Sequence, residues 1–235
     1  MMIRLDKYLS DLGVASRKEL KEIIRHGRIT VNGACVTSPE AKLDPADAAV
    51  MLDGRQLNYA KYRYFAMDKP AGVLTATEDR NQKTVIDLLP DELKKLGLFP
   101  VGRLDKDTSG LLLLTNDGEY AHQVISPRYG IDKKYYAETE GVPDEADVQA
   151  FHNGIVLRDG LQCLPAVLQI TGENRCFVTV QEGKYHQVRR MLASVGKPVT
   201  ALRRLSIGSI ILADLNMTDG ICELSQEQRN AVFIK

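Results

Sequence analysis

The stretch Val101–Gly118 reads Val-Gly-Arg-Leu-Asp-Lys-Asp-Thr-Ser-Gly-Leu-Leu-Leu-Leu-Thr-Asn-Asp-Gly, a short charged loop set directly against an apolar run. Arg103, Asp105 and Asp107 alternate, so an extended loop places these three charges on one side. Leu111–Thr115 reads as a buried strand, too short for most helices and closed off by Asn116-Asp117-Gly118. A carboxylate beside such a core is costly unless a charged or hydrogen-bonding partner holds it, and groups of this kind gather where chemistry is done.

The surrounding chain has 235 residues, enough for one large domain or for a small and a medium one. With 44% hydrophobic residues a real core is available, and the formal net charge of +0 means that any polyanion-binding surface must come from uneven placement of charge. Cys35, Cys163, Cys176 and Cys222 are scattered without a C-x-x-C pair, and the histidines show no metal-ligand spacing. Neither a zinc site nor a disulfide framework is expected, and a reducing, cytoplasmic compartment fits best. The N-terminus, Met-Met-Ile-Arg-Leu-Asp-Lys, carries no apolar signal core, and no run approaches membrane-spanning length.

Residues 1–58 read as a separate small module. Leu5, Tyr8, Leu9 and Leu12 mark an amphipathic helix stopped at Gly13. Ser16 and Glu19 form a capping box for a second helix with Leu20, Ile23 and Ile24 on its apolar face. Ile29-Thr30-Val31, Asn32-Gly33 and Ala34-Cys35-Val36 predict a hairpin with a type I′ turn, and Asp53-Gly54 a further turn. Residues 58–63 would serve as linker, leaving 59–235 as the second domain. There, Tyr64–Met67, Leu111–Thr115, Tyr135–Thr139, Val167–Ile170, Cys176–Val180 and Ile207–Leu212 are strand candidates. Val85–Leu89, Tyr120–Ile125, Glu145–Asn153 and Gln187–Val195 are helix candidates. The irregular alternation points to an α+β fold with a mainly antiparallel sheet and flanking helices.

Two basic clusters break the overall neutrality. Within residues 1–31, Arg4, Lys7, Arg17, Lys18, Lys21, Arg25 and Arg28 stand against four acidic residues, and most of the second helix's cations avoid its apolar face. Between Gly183 and Arg204 lie Lys184, Arg189, Arg190, Lys197, Arg203 and Arg204 with no Asp or Glu, while acidic residues gather at Glu138, Glu140, Asp144, Glu145 and Asp147. Such segregation suggests a polyanionic partner; the alternative is an ion-pairing surface.

The motifs also carry a resemblance. Arg4-Leu5-Asp6-Lys7-Tyr8-Leu9, Ser16-Arg17, Arg25-His26-Gly27-Arg28 and Val31-Asn32-Gly33 resemble the S4 RNA-binding domain. Gly102-Arg103-Leu104-Asp105 through Thr115-Asn116-Asp117-Gly118, Lys133-x-Tyr135 and Glu182–Met191 are similar, in order, to the motifs of the RsuA-type ribosomal pseudouridine synthases. The resemblance runs over nearly the whole chain. It implies an enzyme that detaches a uracil from C1′ of its ribose, turns it and rejoins it through C5, without metal or organic cofactor. It also implies a ribosomal RNA partner, naked or in an assembling particle.

The resemblance makes Asp105 the catalytic aspartate, acting either by covalent attack or by assisting removal of a sugar proton. A carboxylate in a dry pocket needs a cation beside it to stay ionised, and Arg189 is the matching basic residue. Tyr135 matches the family's active-site tyrosine, whose ring can stack on the extruded base; strand alternation lets only one of Tyr135 and Tyr136 face the site, and spacing from Lys133 selects Tyr135. RNA contacts are expected from Arg103, Thr108, Lys133, Lys184 and Arg190, and in the first module from Arg4, Lys7, Ser16, Arg17, Lys18, Lys21, Arg25, Arg28 and Asn32. Arg103 has a second reading as an ion-pair partner of Asp107, and Thr108, Ser109 and Gly110 are read as shaping the loop. His186 and Gln187 match motif positions without a role that demands them.

An aspartic protease, suggested by Asp107-Thr108-Ser109-Gly110, fails on the extra residue and on the missing second carboxylate. A non-catalytic RNA-binding protein would not require Arg103, Asp105, Tyr135 and Arg189 together. Lys184–Val188 and the Gly160…Cys163-Leu164-Pro165-Ala166 stretch favour a small-subunit (16S) rRNA target over a large-subunit (23S) one. Nothing in the sequence demands more than a monomer.

Overall fold

The computed structural model describes residues 1–234. Packing divides the chain into two units, Met1–Arg63 with Ile86–Leu98, and Tyr64–Val85 with the residues from Phe99 onward. The division thus falls at 63/64 rather than 58/59, and residues 86–98 join the first unit.

In the first unit, β1 (Ile3–Arg4) leads into α1 (Leu5–Asp11) and α2 (Arg17–Arg25). The Ser16 hydroxyl accepts from the Glu19 N–H while the Ser16 N–H donates to the Glu19 carboxylate, so α2 starts where the capping box predicts. β2 (Ile29–Val31) and β3 (Ala34–Cys35) are joined by Asn32 and Gly33 at φ 52° and 82°, the left-handed pair of a type I′ turn. β4 (Lys42–Leu43) pairs with β1, and β5 (Val50–Leu52) and β6 (Arg55–Leu57) complete the sheet β3-β2-β5-β6. The short α3 (Asp91–Lys94) lies in the 86–98 segment. Leu5, Tyr8, Leu9, Leu20, Ile24 and Ile29 form the core.

The second unit contains β7 (Tyr64–Lys69), β8 (Phe99–Val101), β9 (Thr108–Thr115), α4 (Gly118–Ile125), β10 (Lys133–Thr139), α5 (Glu145–Asn153), β11 (Val167–Gly172), β12 (Arg175–Val180), α6 (Gln187–Ser194), β13 (Val199–Ile207), β14 (Ile210–Ile211), β15 (Ile221–Glu223) and α7 (Gln226–Ala231). They build a sheet in the order β11-β12-β10-β13-β9-β7-β15, with β14 beside β13 and β8 beside β9. All pairings are antiparallel except β13 with β9. The fold is α+β, as expected. Leu111–Leu114 are at most 1% exposed, which is why four consecutive leucines are stable in the middle of the sheet.

Several expectations are corrected. Val85–Leu89 forms turns, not a helix. The strand read at Ile207–Leu212 is the end of the much longer β13, followed by the short β14 and a 3₁₀ turn. Thr108–Gly110 opens β9 rather than shaping a loop, and the charged loop before it is not extended. A turn at Lys106-Asp107, closed by the Thr108 N–H on the Asp105 carbonyl at 3.0 Å, leaves Arg103 and Asp107 exposed and Asp105 partly buried.

The parallel joint depends on Gly110, whose partner on β13 is Arg204. A Cβ there would lie 2.2 Å from the Arg204 carbonyl oxygen, and φ is +103°. Only glycine lets the two backbones approach this closely. Gly110→Ala is therefore expected to lower stability by more than ~2 kcal/mol, seen as a clear drop in the denaturant midpoint; an unchanged midpoint would show that the strands can part without cost.

Candidate active site

The Asp105 loop is held from below by a lysine. Lys69, at the end of β7, is fully buried, and its ammonium donates to the carbonyls of Thr108 (2.9 Å), Pro70 (3.0 Å), Lys106 (3.1 Å) and Asp105 (3.3 Å). Burial, opposed by attraction to Asp107 and Asp105, brings its pKa down to about 8. Thr75 accepts from the Leu104 N–H at 3.2 Å and donates to the Leu104 carbonyl at 2.7 Å. The loop backbone is thus pinned on both sides of Asp105, which fixes where its carboxylate can go.

That carboxylate, 26% exposed, faces two cation-forming side chains: His186 Nε2 stands 3.5 Å from Oδ1 and Arg189 Nε 3.7 Å from Oδ2. Arg189 also reaches the Asp107 carbonyl at 3.3 Å and Thr108 Oγ1 at 3.5 Å, so it bridges α6 to the start of β9. His186 caps α6 in the left-handed region, at φ 48° and ψ 34°, without a capping hydrogen bond. A non-glycine residue there is strained by ~1–3 kcal/mol; the conformation turns the imidazole onto Asp105.

Tyr135 is buried and lines the same cleft, of about 730 Å³, as Asp105, His186, Lys133, Arg103 and Arg204. The register places Tyr135 beside Arg204 on β13, which in turn lies beside Gly110 on β9. Arg204, 3% exposed, donates through Nε to the Leu111 carbonyl at 2.7 Å and through Nη1 to the Tyr135 hydroxyl at 3.4 Å. Its Nη2 is the one buried side-chain nitrogen or oxygen without a partner among the described residues. Lys133, 7% exposed, donates to the Ile131 carbonyl at 3.1 Å. Burial first, and Arg204 second, push its pKa down to about 8. Lys69, Lys133 and Arg204 are all buried cations, and burial of this kind is tolerated mainly where it serves a site.

Asp105, Tyr135, Arg189, Arg103, Thr108, Lys133 and Lys184 line this region or touch its lining. Arg103 is exposed at the cleft and makes no ion pair with Asp107. Arg190 is not brought in: it pairs with Asp159. The basic cluster of residues 183–204 is largely an ion-pairing surface, because Lys184 pairs with Glu182, Lys197 with Asp144 and Asp147, and Arg203 with Asp68, while Arg204 is buried. In the first unit, Arg4, Lys7, Arg17, Lys18 and Lys21 line one groove with Asp6 and Asp11. Arg25 pairs with Glu22 and Arg28 with Asp53. Ser16 is spent on the helix cap, and Asn32 Oδ1 accepts from the Ala49 N–H, just ahead of β5, at 2.8 Å. Sequence reasoning missed Lys69, and it took Arg204 for a surface cation. Among the described residues no cluster of His, Cys, Asp and Glu could hold a metal, and no helix is long and apolar enough to cross a membrane.

A carboxylate flanked by an imidazole and a guanidinium, next to a buried aromatic ring and above buried positive charge, suits chemistry on a flat, anionic-backbone substrate. The comparisons agree. Residues 63–194 match the RNA pseudouridylate synthase family, and residues 3–48 match the S4 domain. Ribosomal small subunit pseudouridine synthase A of Vibrio parahaemolyticus is 38% identical over 98% of this chain and 100% of its own. Ribosomal large subunit pseudouridine synthase B of Bacillus subtilis is 36% identical over 93% of this chain and 91% of its own. A solved structure described as a pseudouridylate synthase superposes with a TM-score of 0.68 at 29% identity, covering 98% of this chain and 99% of that one.

Buried Lys133 gives the site a pH signature. Its folded pKa, about 8, lies below the ordinary value of 10.5, so the unfolded chain binds more protons between these values. The stability it contributes is full above pH 10.5, is lost as pH falls through 8, and thus rises by ~1–2 kcal/mol from pH 8 to about 9.5. Lys133→Met is expected to flatten the rise in melting temperature over that window, as read by calorimetry at stepped pH; an identical slope in both proteins would refute the assignment.

Proposed function

The chain belongs to the RNA pseudouridylate synthase family, with an S4 domain ahead of the synthase part, and on that basis we propose that it converts a uridine of small-subunit (16S) ribosomal RNA to pseudouridine using Asp105. The observation that carries the reading is the Asp105 carboxylate, set 3.5 Å from His186 and 3.7 Å from Arg189 in a cleft shared with the Tyr135 ring. A uridine leaves its stack at a cost of a few kcal/mol, least when it is unpaired, and enters this cleft. Tyr135 supports the flat face of the uracil, and the exposed Arg103 at the cleft holds a backbone phosphate.

The N1–C1′ bond then breaks with its electron pair leaving on the uracil. C1′ is satisfied either by a bond to an Asp105 oxygen or by loss of the C2′ proton to that carboxylate. In both routes the uracil turns and C5 joins C1′, in the first as the bond from C1′ to the Asp105 oxygen breaks, in the second as Asp105 returns its proton to C2′. The proton on C5 is then lost and N1 takes one up, so the product is an isomer of the substrate. Negative charge on the departing uracil forms above Lys133 and Arg204, and buried cations aimed at developing charge are the strongest electrostatic aid a dry site can supply. The groove of Arg4, Lys7, Arg17, Lys18 and Lys21 in the S4 domain supplies phosphate contacts that hold the RNA.

The small-subunit target is supported by the Lys184–Val188 and Gly160–Ala166 stretches, and the Vibrio relative carries that target in its name; the Bacillus relative, of comparable identity, carries the large-subunit one. The reading takes the chain to work as a monomer in the cytoplasm, on ribosomal RNA alone or within an assembling particle.

Asp105→Asn keeps the shape of the side chain and removes its charge. Tritium release from [5-³H]uridine-labelled rRNA is expected to fall by at least ~10³-fold while filter-binding affinity stays within about twofold. Equal loss of both would make Asp105 a folding residue. Mapping of pseudouridines in both rRNAs from a strain lacking the chain decides the target: a site lost from 16S supports the reading, and a site lost from 23S overturns that part of it.

A further inference from the structure

The catalytic reading leaves Tyr185 unused. Its ring is 74% exposed although it lies in the lining of the Asp105 cleft. It is nevertheless ordered on one side, where it stacks on His186 with ring centroids 3.9 Å apart and planes 16° from parallel. His186 in turn is the side chain 3.5 Å from the Asp105 carboxylate. The two rings therefore form a ledge running from the reacting group outward, ending in an open aromatic face.

The loop beneath is built to hold this ledge. Buried Gln187 accepts from the Lys184 N–H at 3.0 Å and donates to Glu182 at 2.7 Å; buried Glu182 also accepts from the Leu164 N–H at 2.9 Å. The left-handed His186 backbone, unusual for a side chain with a Cβ, places the imidazole between Tyr185 and Asp105. Burial of two polar side chains and a strained residue would be a poor arrangement for a merely solvated tyrosine. It is a sound one for a rigid platform, since a fixed ring loses little freedom when a flat ligand settles on it.

We propose that the outer face of Tyr185 binds a nucleobase, the one next to the everted uridine. Resting on the pseudouridine synthase reading, this gives a ligand to a part of the cleft that reading does not fill. Removing one base from a stack exposes the face of its neighbour, and an aromatic ledge beside the emptied position replaces the lost stacking partner. Because every base has a π-face, the ledge recognises an exposed neighbour rather than a particular letter. Arg103, an exposed cation of the same cleft, is placed for the phosphates of such a segment.

The chain contains no tryptophan, so Tyr185→Trp introduces a single reporter. In an Asp105→Asn background, which prevents turnover, its emission is expected to fall by at least about half when a 16S rRNA transcript is added at a saturating concentration fixed by filter binding. In the otherwise unaltered chain, Tyr185→Ala is expected to raise the half-saturating transcript concentration for tritium release by ~10-fold, the size typical of one lost base stack, and Tyr185→Phe to recover most of that loss. Unchanged emission at saturation, or a Tyr185→Ala enzyme with the half-saturation of the unaltered chain, overturns the ledge. Tritium release by the unaltered chain on the same transcript reads the catalytic assignment separately: its absence removes that assignment, while quenching still reports the stacked base.

Discussion

The buried ammonium of Lys69 donates to four carbonyl oxygens, three from the Asp105 turn (Asp105, Lys106 and Thr108) and one from Pro70 at its own strand end. Burying a charge this way is unfavourable until the carbonyls close around it, so the turn and the strand end specify each other. From that clamp the remaining geometry follows. β9 leaves the turn at Thr108, Gly110 admits β13 alongside, and β13 carries Arg204 to the hydroxyl of Tyr135 on β10. Asp105 and Tyr135, distant in sequence, come to one cleft because one lysine fixes a turn and one glycine lets two strands meet in parallel.

Charge in the cleft is unevenly shared. Lys69, Lys133 and Arg204 are buried, and His186 and Arg189 flank the single partly buried carboxylate of the Asp105 turn. A structural ion-pair network would balance its signs. An excess of cations around one carboxylate instead favours substrates with anionic backbones and reactions in which electrons leave with a heterocycle. This asymmetry ties the energetics of the fold to its chemistry more closely than any single distance does.

Local signals in the sequence are legible because their physics is local. The Ser16–Glu19 box, the Asn32-Gly33 turn, and α5 at Glu145–Asn153 need only neighbours to form. Strand alternation lets only one of Tyr135 and Tyr136 face the site, and β10 does alternate: Tyr135 is buried, while Tyr136 turns to Phe177 and Glu138. The failures are non-local. β13 was obscured because Arg203-Arg204 breaks its apolar pattern; one arginine pairs with Asp68 and the other is buried under the site. Pairing of Arg190 with Asp159 and of Lys197 with Asp144 and Asp147 is equally invisible to a count of charges along the chain. Lys69 lies beyond the Tyr64–Met67 strand signal, after Asp68, and only the return of the chain 36 to 39 residues later gives it a cage.

If the clamp sets reactivity by position and not by charge alone, Asp105→Glu is the sharpest probe. The carboxylate is kept and shifted by one methylene. Single-turnover tritium release should drop by ~100-fold, the usual consequence of misplacing a reacting group by about an ångström, with rRNA affinity unaltered. A glutamate enzyme that turns over at the native rate would mean that the placement of this carboxylate does not govern the reaction.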